Sequence, residues 1–311
     1  MALTTVLGTM YYGTRTDEAT AMRLLDRFVD RGGEWLDTAN CYSFWSDPSG
    51  IGGQSEELLG RWLAARPGRR DRVRIATKVR YQPTIAHQWP SSAEGLSAPA
   101  IAHGLQGSLK RLGTDHLDLY WAHGDDRSVA LEETVAAFGA LVEAGQVGRL
   151  GASNHHSWRL ERARALARSL GVAGYSAVQL RRSYVHPRPG AVLPDGGHVL
   201  ASDEALDYVA AERLTMWAYT PLINGGYVRA DRPLPEAYDH PGTTRRLATL
   251  AEVAHRRGVT RNQVVLAWLR QGTPAIAPIV GVSTVEQLDE ALDAEQLELT
   301  TDELSQLDGV A

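Results

Sequence analysis

A chain of 311 residues is long enough to bury a large core without disulfide or metal staples. Its charged fraction of 22% and net charge of −5 leave no basic footprint for nucleic acid or an anionic membrane. Its one cysteine, Cys41, excludes an intrachain disulfide, no signal peptide or membrane-spanning run is evident, and a cytoplasmic location and no metal are expected.

In chain order, strand-like runs alternate with helical periodicity. Val6–Met10 opens the series. Met22, Leu25, Phe28 and Val29 form a helical stripe stopped by Gly32-Gly33, and the short strand Trp35–Asp37 follows. Val73–Lys78 is the third strand, and Tyr81–Ser97 after it reads as an irregular loop. Ile101, Leu105, Leu109 and Leu112 recur at helical spacing up to Gly113, a residue suited to a C-cap. Leu117–Ala122 is the fourth strand; Leu131, Val135, Phe138, Leu141 and Val142 make the next helical stripe. Val147–Ala152 and Ala177–Leu180 are the fifth and sixth strands. His186–Ser202, punctuated by Pro187, Pro189, Gly190, Pro194, Gly196 and Gly197, reads as a second loop. Thr215–Tyr219 is the seventh strand and Asn224–Gly242 a third loop. A helical pair, Thr243–Gly258 and Arg261–Arg270, precedes the eighth strand, Ile276–Val280. Thr284-Val285-Glu286-Gln287 then has the form of a capping box.

Eight strands alternating with helices imply a parallel sheet with right-handed crossovers. Two α/β architectures fit, a closed (β/α)8 TIM barrel and an open doubly wound sheet. An open sheet that binds a dinucleotide carries Gly-x-Gly-x-x-Gly after its first strand. Gly8-Thr9-Met10-Tyr11-Tyr12-Gly13 lacks that pattern, so a barrel is expected, as one domain over residues 1–311.

Barrel enzymes build their sites at the C-terminal ends of the strands. Here those ends carry Met10 and Tyr11, Asp37, Lys78, His123, Ser153 and Asn154, Gln179, Tyr219 and Thr220, and Gly281 to Thr284. Each has another reading. Asp37 serves equally as a turn residue, Tyr42 as a rim aromatic and His123 as a core histidine. Lys78, at the end of a buried strand, requires a partner; it is either an ion pair with Asp37 or a Schiff-base lysine. Together, the phenol, ammonium, carboxylate and imidazole form a set that moves a proton onto a carbonyl oxygen. A free tyrosine, with a pKa near 10, is a poor acid at neutral pH. A neighbouring ammonium stabilises the phenolate, and a carboxylate holds the ammonium in place. A neutral histidine donates to the carbonyl oxygen and polarises it. No side chain supplies hydride, so a nicotinamide cofactor is implied.

The chain resembles the aldo-keto reductase superfamily over roughly Val6 to Leu297. The resemblance is carried by Gly-Gly-Glu-Trp-Leu-Asp-Thr-Ala-Asn-Cys-Tyr at 32–42, Gly-Gln-Ser-Glu-Glu-Leu-Leu-Gly at 53–60 and Ile-Ala-Thr-Lys at 75–78. It continues through the stretch ending Leu-Asp-Leu-Tyr-Trp-Ala-His at 117–123, Gly-Arg-Leu-Gly-Ala-Ser-Asn at 148–154, Tyr-Thr-Pro-Leu at 219–222 and Pro-Ile-Val-Gly-Val-Ser-Thr at 278–284. It implies a barrel with Asp37, Tyr42, Lys78 and His123 as a catalytic tetrad and Tyr42 as the general acid. It implies further that Thr9 and Met10 lie beside the cofactor, that Ser153, Asn154 and Gln179 bind the nicotinamide carboxamide, and that Tyr219 stacks on the ring. Thr220, Leu222 and the Gly225-Gly226 turn would flank the pyrophosphate. Gly281, Ser283 and Thr284 would meet the adenosine phosphate at a helix N-terminus, with Gln287 and Glu290 at the adenine; Gln287 has its capping-box role as the alternative.

Two stretches depart from the family pattern. Between Ile279 and Leu292 there is no Lys or Arg, whereas Glu286, Asp289 and Glu290 are acidic. NADP(H) is therefore expected by inheritance, with NAD(H) as the alternative and Arg229 or Arg232 as compensating cations. Arg181 and Arg182 follow Gln179-Leu180 where relatives are less charged; they read as solvated loop charges or as contacts to a polar substrate. Tyr11, Trp45 and Trp89 are candidate pocket walls for a small-molecule aldehyde or ketone, and Trp121 reads as core or wall. Two other functions fit less of the pattern: a low-turnover nucleotide-binding regulatory subunit, as in the potassium-channel β subunits that resemble this family, and a Schiff-base aldolase acting through Lys78. The sequence leaves the oligomeric state open.

Overall fold

The computed structural model describes residues 4–193 and 197–309. Pro194 and Gly196 of the second loop lie outside them, as do the first three residues of the N-terminal stretch and the last two of the chain. Eight strands form a closed parallel barrel in sequence order: β1 (Val6–Gly8), β2 (Trp35–Asp37), β3 (Arg74–Val79), β4 (Leu117–Ala122), β5 (Val147–Ser153), β6 (Tyr175–Arg181), β7 (Thr215–Tyr219) and β8 (Ile276–Gly281). The helices between and after them are α1 (Glu18–Asp30), α2 (Gln54–Ala64), α3 (Arg69–Arg72), α4 (Ala98–Leu112), α5 (Leu131–Glu143), α6 (Ser157–Leu170), α7 (Asp203–Ala211), α8 (Pro241–Arg257), α9 (Arg261–Gln271), α10 (Val285–Asp293) and α11 (Thr301–Asp308). No helix among the described residues is long and apolar enough to cross a membrane.

The strand series matches the expected one to within about two residues at each end, as is usual for element boundaries. β1 stops at Gly8, short of Met10, because the backbone turns there. Thr9 N–H donates to Asp37 O at 3.0 Å, and Tyr12 N–H donates back to Thr9 O at 2.9 Å. The helix signals act as their chemistry requires. Ser97 caps α4 by accepting from Ala100 N–H, and Gly113 closes it at φ 64°, a left-handed conformation that glycine adopts without a Cβ clash. Capping boxes open α9 (Thr260 with Gln263) and α11 (Thr300 with Glu303). In α1, Leu25, Phe28 and Val29 are buried as the stripe predicts; Met22 is half-buried, and Ala21 and Leu24 complete the apolar face.

The chain divides into two compact units. The first, residues 6–178 with 281–285, contains β1 to β5 and α1 to α6. Its register pairs Trp35 with Arg74, Lys78 with Trp121 and Ala122 with Ala152, which brings the C-terminal ends of β2 to β5 level with one another. Trp121 is fully buried and belongs to the core. α2 and α4 approach so closely that a Cβ on Gly60 would lie 2.0 Å from Arg111 O.

The second unit, residues 179–280 and 286–309 with 4–5, holds β7, β8 and the helices from α7 onward. Leu266, Val280, Ala291 and Ala294 form a core cluster there, with Leu222 packed against it. Trp268 donates from Nε1 to Asp308 at 2.7 Å, and Tyr184 donates to Leu307 O at 3.1 Å, so α11 is tied down at both points.

Candidate active site

In the first unit the ends of β2, β3 and β4 bring Asp37, Lys78 and His123 to the same level as Tyr42, which sits in the turn after β2. Lys78 is fully buried, and burial is the main force that lowers its pKa; the Asp37 carboxylate opposes that effect. Its ammonium has three acceptors. Nζ lies 2.5 Å from Asp37 Oδ2, 2.8 Å from Thr38 O and 2.9 Å from Tyr42 Oη. Each ammonium hydrogen therefore has a partner, and the phenol oxygen receives one of them. Asp37 is 2% exposed and Tyr42 half-buried, so the cluster runs from the sealed interior outward through the phenol.

The rings of Tyr42 and His123 meet edge to face at 5.8 Å, and Tyr81 flanks the imidazole from another side at 5.1 Å. The His123 backbone N–H donates to Val79 O at 3.0 Å, and Asn154 Nδ2 donates to His123 O at 3.2 Å. Asn154 holds a left-handed φ of 55°, a strained conformation for a residue other than glycine. Ser153, 1% exposed, accepts from the same amide at 3.2 Å.

Thr9 contributes differently. It is fully buried, and its hydroxyl lies 3.0 Å from Asp37 O and 2.9 Å from the Ser55 hydroxyl, so it braces the Asp37 strand. Met10 O accepts from Ser43 at 2.6 Å. Aromatic rings continue outward from Tyr42. Trp45 meets Tyr42 at 6.5 Å, Tyr11 at 6.4 Å and Phe44 at 4.9 Å, and Phe44 faces Trp89 at 5.7 Å. Trp45 and Trp89 stay 43% and 44% exposed, so a face of this aromatic run is open to solvent. At Gly281, past which α10 begins, an added Cβ would meet nothing within 4 Å. Ser283 and Thr284 follow it after Val282.

The remaining residues implied by the resemblance lie in the second unit. Gln179 is buried in β6. Tyr219 is half-buried at the end of β7, its phenol 2.9 Å from His198 Nδ1. Thr220 has a left-handed φ of 56°, and the turn after it runs through Asn224 at 55° and Gly225 at 90°. Leu222 packs into the core cluster described above, and Glu290 accepts from Asn262 Nδ2 at 3.2 Å. Gln287 lies in the first turn of α10, as the capping-box spacing requires.

Arg181 and Arg182 correct the expectation of solvated charges. Both are half-buried. The Arg182 guanidinium lies 5.2 Å over the Trp268 ring and donates to Ala201 O at 3.2 Å, so an aromatic face and a carbonyl replace water. Arg229 forms an exposed ion pair with Asp231 at 2.6 Å, and Arg232 lies 4.0 Å from the same carboxylate.

Sequence reasoning passed over Cys41, Phe44, Glu56 and Tyr81. Glu56 is fully buried and accepts from Thr77 at 2.5 Å and Arg111 at 2.7 Å. Its signal was a glutamate inside an apolar helix stretch. Tyr81 carried no signal beyond its nearness to Lys78.

The sequence profile of the Aldo/keto reductase family matches residues 5–311. An uncharacterized oxidoreductase, YrpG, of Bacillus subtilis (strain 168) is 33% identical over 309 residues, covering 98% of this chain and 90% of that protein. A norsolorinic acid reductase, stcV, of Emericella nidulans is 30% identical over 316 residues, covering 97% and 76%. An aryl-alcohol dehydrogenase of Pestalotiopsis microspora is 28% identical over 295 residues, covering 93% and 71%. Among solved structures, that of a thermostable aldo-keto reductase in complex with the inhibitor epalrestat superposes with a TM-score of 0.75 at 26% identity, covering 98% of this chain and 94% of that one.

Proposed function

The chain belongs to the aldo-keto reductase family, and from that premise we propose that it reduces an aromatic aldehyde or ketone to the alcohol with NADP(H), Tyr42 acting as general acid. The observation that carries this reading is the triple engagement of Lys78 by Asp37, Thr38 O and Tyr42. An ammonium donating to a phenol oxygen stabilises that oxygen as it gains negative charge, so the phenol releases its proton more readily. With its oxygen accepting from Lys78, Tyr42 has its own hydrogen to give to a carbonyl oxygen. His123, edge-on to Tyr42, would donate a second hydrogen bond to that oxygen and polarise it. An ammonium with all its hydrogens engaged is also a poor Schiff-base nucleophile, which disfavours the aldolase alternative.

Bound nicotinamide would supply the hydride. The residues present fit such a cofactor. Asn154 and Thr220 hold left-handed backbones at strand ends, strain of the kind stored at binding sites. Open space at Gly281 precedes the α10 N-terminus, where the helix dipole favours phosphate. We assign Ser153 and Asn154 to the carboxamide and Gly281, Ser283 and Thr284 to the adenosine phosphate. Met10, Gln179, Tyr219, Thr220, Gly225, Gln287 and Glu290 are assigned to the cofactor by family resemblance. Thr9 and Leu222 are assigned supporting roles, since the hydroxyl of the one braces Asp37 O and the side chain of the other packs into a core. Tyr11, Trp45 and Trp89 are assigned to the substrate, and the aromatic preference rests on the open run of rings from Tyr42 to Trp89. The names of the norsolorinic acid reductase and aryl-alcohol dehydrogenase relatives point the same way.

The test is oxidation of NADPH in the presence of a panel of aryl and aliphatic aldehydes, with NADH run in parallel. Turnover that is faster with NADPH and with aryl aldehydes is expected. Tight nucleotide binding without turnover of any carbonyl would replace this reading with a regulatory one.

A further inference from the structure

Cys41 immediately precedes Tyr42, and the tetrad assigns it no task. Its side chain is 2% exposed, and its Sγ lies 3.6 Å from Nδ1 of His123. We propose that the Cys41 thiol donates its hydrogen to Nδ1 of His123 and thereby holds the imidazole as the Nε2–H tautomer, which makes Cys41 a positioning residue. The inference rests on the reading of His123 as a donor to the carbonyl oxygen, since only a hydrogen on Nε2 leaves the ring able to donate from the nitrogen opposite the thiol.

A neutral imidazole has one donor and one acceptor nitrogen, and the partner of one decides the state of the other. A carboxylate at Nδ1 draws the hydrogen there and turns Nε2 into a base, as in serine hydrolase triads. A thiolate would act in the same direction. Burial is the main force that raises the Cys41 pKa, and the Glu94 carboxylate adds to it, so the sulfur keeps its hydrogen. Glu94 is itself held by the Asn40 side chain and by Arg80 N–H. A protonated sulfur is a weak acceptor, whereas an unprotonated ring nitrogen is a good acceptor for S–H. The ring is also held in place by its surroundings. Tyr42 and Tyr81 flank it, and Val79 O fixes its backbone. These neighbours oppose a ring flip, which would put the Cδ2 carbon in place of Nδ1 beside the thiol. A donor at Nδ1 thus has the opposite consequence to the triad carboxylate: the far nitrogen becomes a hydrogen-bond donor rather than a base.

The test is 15N NMR of the full-length chain labelled on the histidine rings, with His123 assigned by loss of its signals in His123→Ala. The expected wild-type spectrum has an unprotonated Nδ1 and a protonated Nε2. Cys41→Ser, whose hydroxyl also donates, keeps that pattern. Cys41→Val, which has no donor, shifts both nitrogens toward a tautomer mixture and lowers kcat about fivefold with KM for NADPH unchanged, the fold-change of one hydrogen bond of ordinary net strength. A wild-type spectrum with the hydrogen on Nδ1 overturns the proposal, as does a Cys41→Val spectrum identical to wild type. If Cys41→Val does not fold, the wild-type and Cys41→Ser spectra still decide. Full turnover in His123→Ala would instead remove His123 from the proposed reaction and leave the tautomer measurement untouched.

Discussion

Thr77 and Lys78 are neighbours on β3, and each reaches a buried carboxylate, but from opposite faces of the strand. Thr77 donates to Glu56 of α2, which also pairs with Arg111 of α4. Lys78 donates to Asp37 of β2 and onward to Tyr42. The outer pair has both of its hydrogen bonds within the protein and joins two helices to the sheet. The inner pair passes a hydrogen bond to a half-exposed phenol. Burying a charge is costly in both places. The outer network ties scaffold elements to one another, whereas the inner one reaches the phenol proposed as the acid.

Breaking the inner pair at its open end has the largest expected effect. Tyr42→Phe loses about a thousandfold in kcat, the middle of the range for losing a general acid, with a modest fall in thermal midpoint from the ammonium hydrogen left without its acceptor. Activity near the wild-type level would make the two faces of β3 alike. Breaking the outer pair reverses the pattern. Arg111→Met leaves Glu56 buried without its cation and costs about 4 kcal/mol of stability, read by urea unfolding, with kcat retained. A variant as stable as wild type would show that Arg111, 23% exposed, contributes little.

The second unit offers a contrasting response to charge. His186 has its pKa pushed down to about 4, first by burial and then by Arg182 and Arg246. The folded chain therefore binds fewer protons than the unfolded one, whose histidine titrates near 6.5. The stability that neutral His186 contributes is complete above pH ~6.5 and lost as the pH falls toward 4, to a total of about 3 kcal/mol. Unfolding midpoints measured across that window should fall, and His186→Gln should flatten the fall; an equal slope in the variant would refute the assignment. The smallest effect belongs to the aromatic run. Trp45→Ala raises KM for aryl aldehydes about fivefold, as the loss of an aromatic pair predicts, and leaves aliphatic aldehydes almost unchanged. An equal change for both classes would remove Trp45 from substrate choice.

Much of the scaffold was legible locally. The apolar runs from β2 to β8, the stripe of α4 and its stop at Gly113 are short-range patterns. A strand or helix needs only its own residues to display its period. The early end of β1 was not legible, because the turn that ends it, closed by Tyr12 N–H on Thr9 O, runs through Met10 and Tyr11, which are not turn-forming residue types. Of the two readings of Arg182, the solvated charge fails because the Trp268 face that replaces its water comes from α9. Cys41 had no visible role, because its partner at 3.6 Å is 82 residues away in the chain.

The sequence by itself determined the alternation of strands and helices and the expectation of a barrel, and it marked Asp37, Tyr42, Lys78 and His123 as candidates. The elements follow from periodicity, and the candidates from reactive residue types at strand ends together with the family resemblance. Only the tertiary structure decided that one ammonium touches a carboxylate, a carbonyl and a phenol together, that the aromatic run leads outward from that phenol, and that a thiol lies against the imidazole. Such contacts join residues from separate strands and turns. Their distances depend on how those strands stagger around the barrel, which no local pattern encodes.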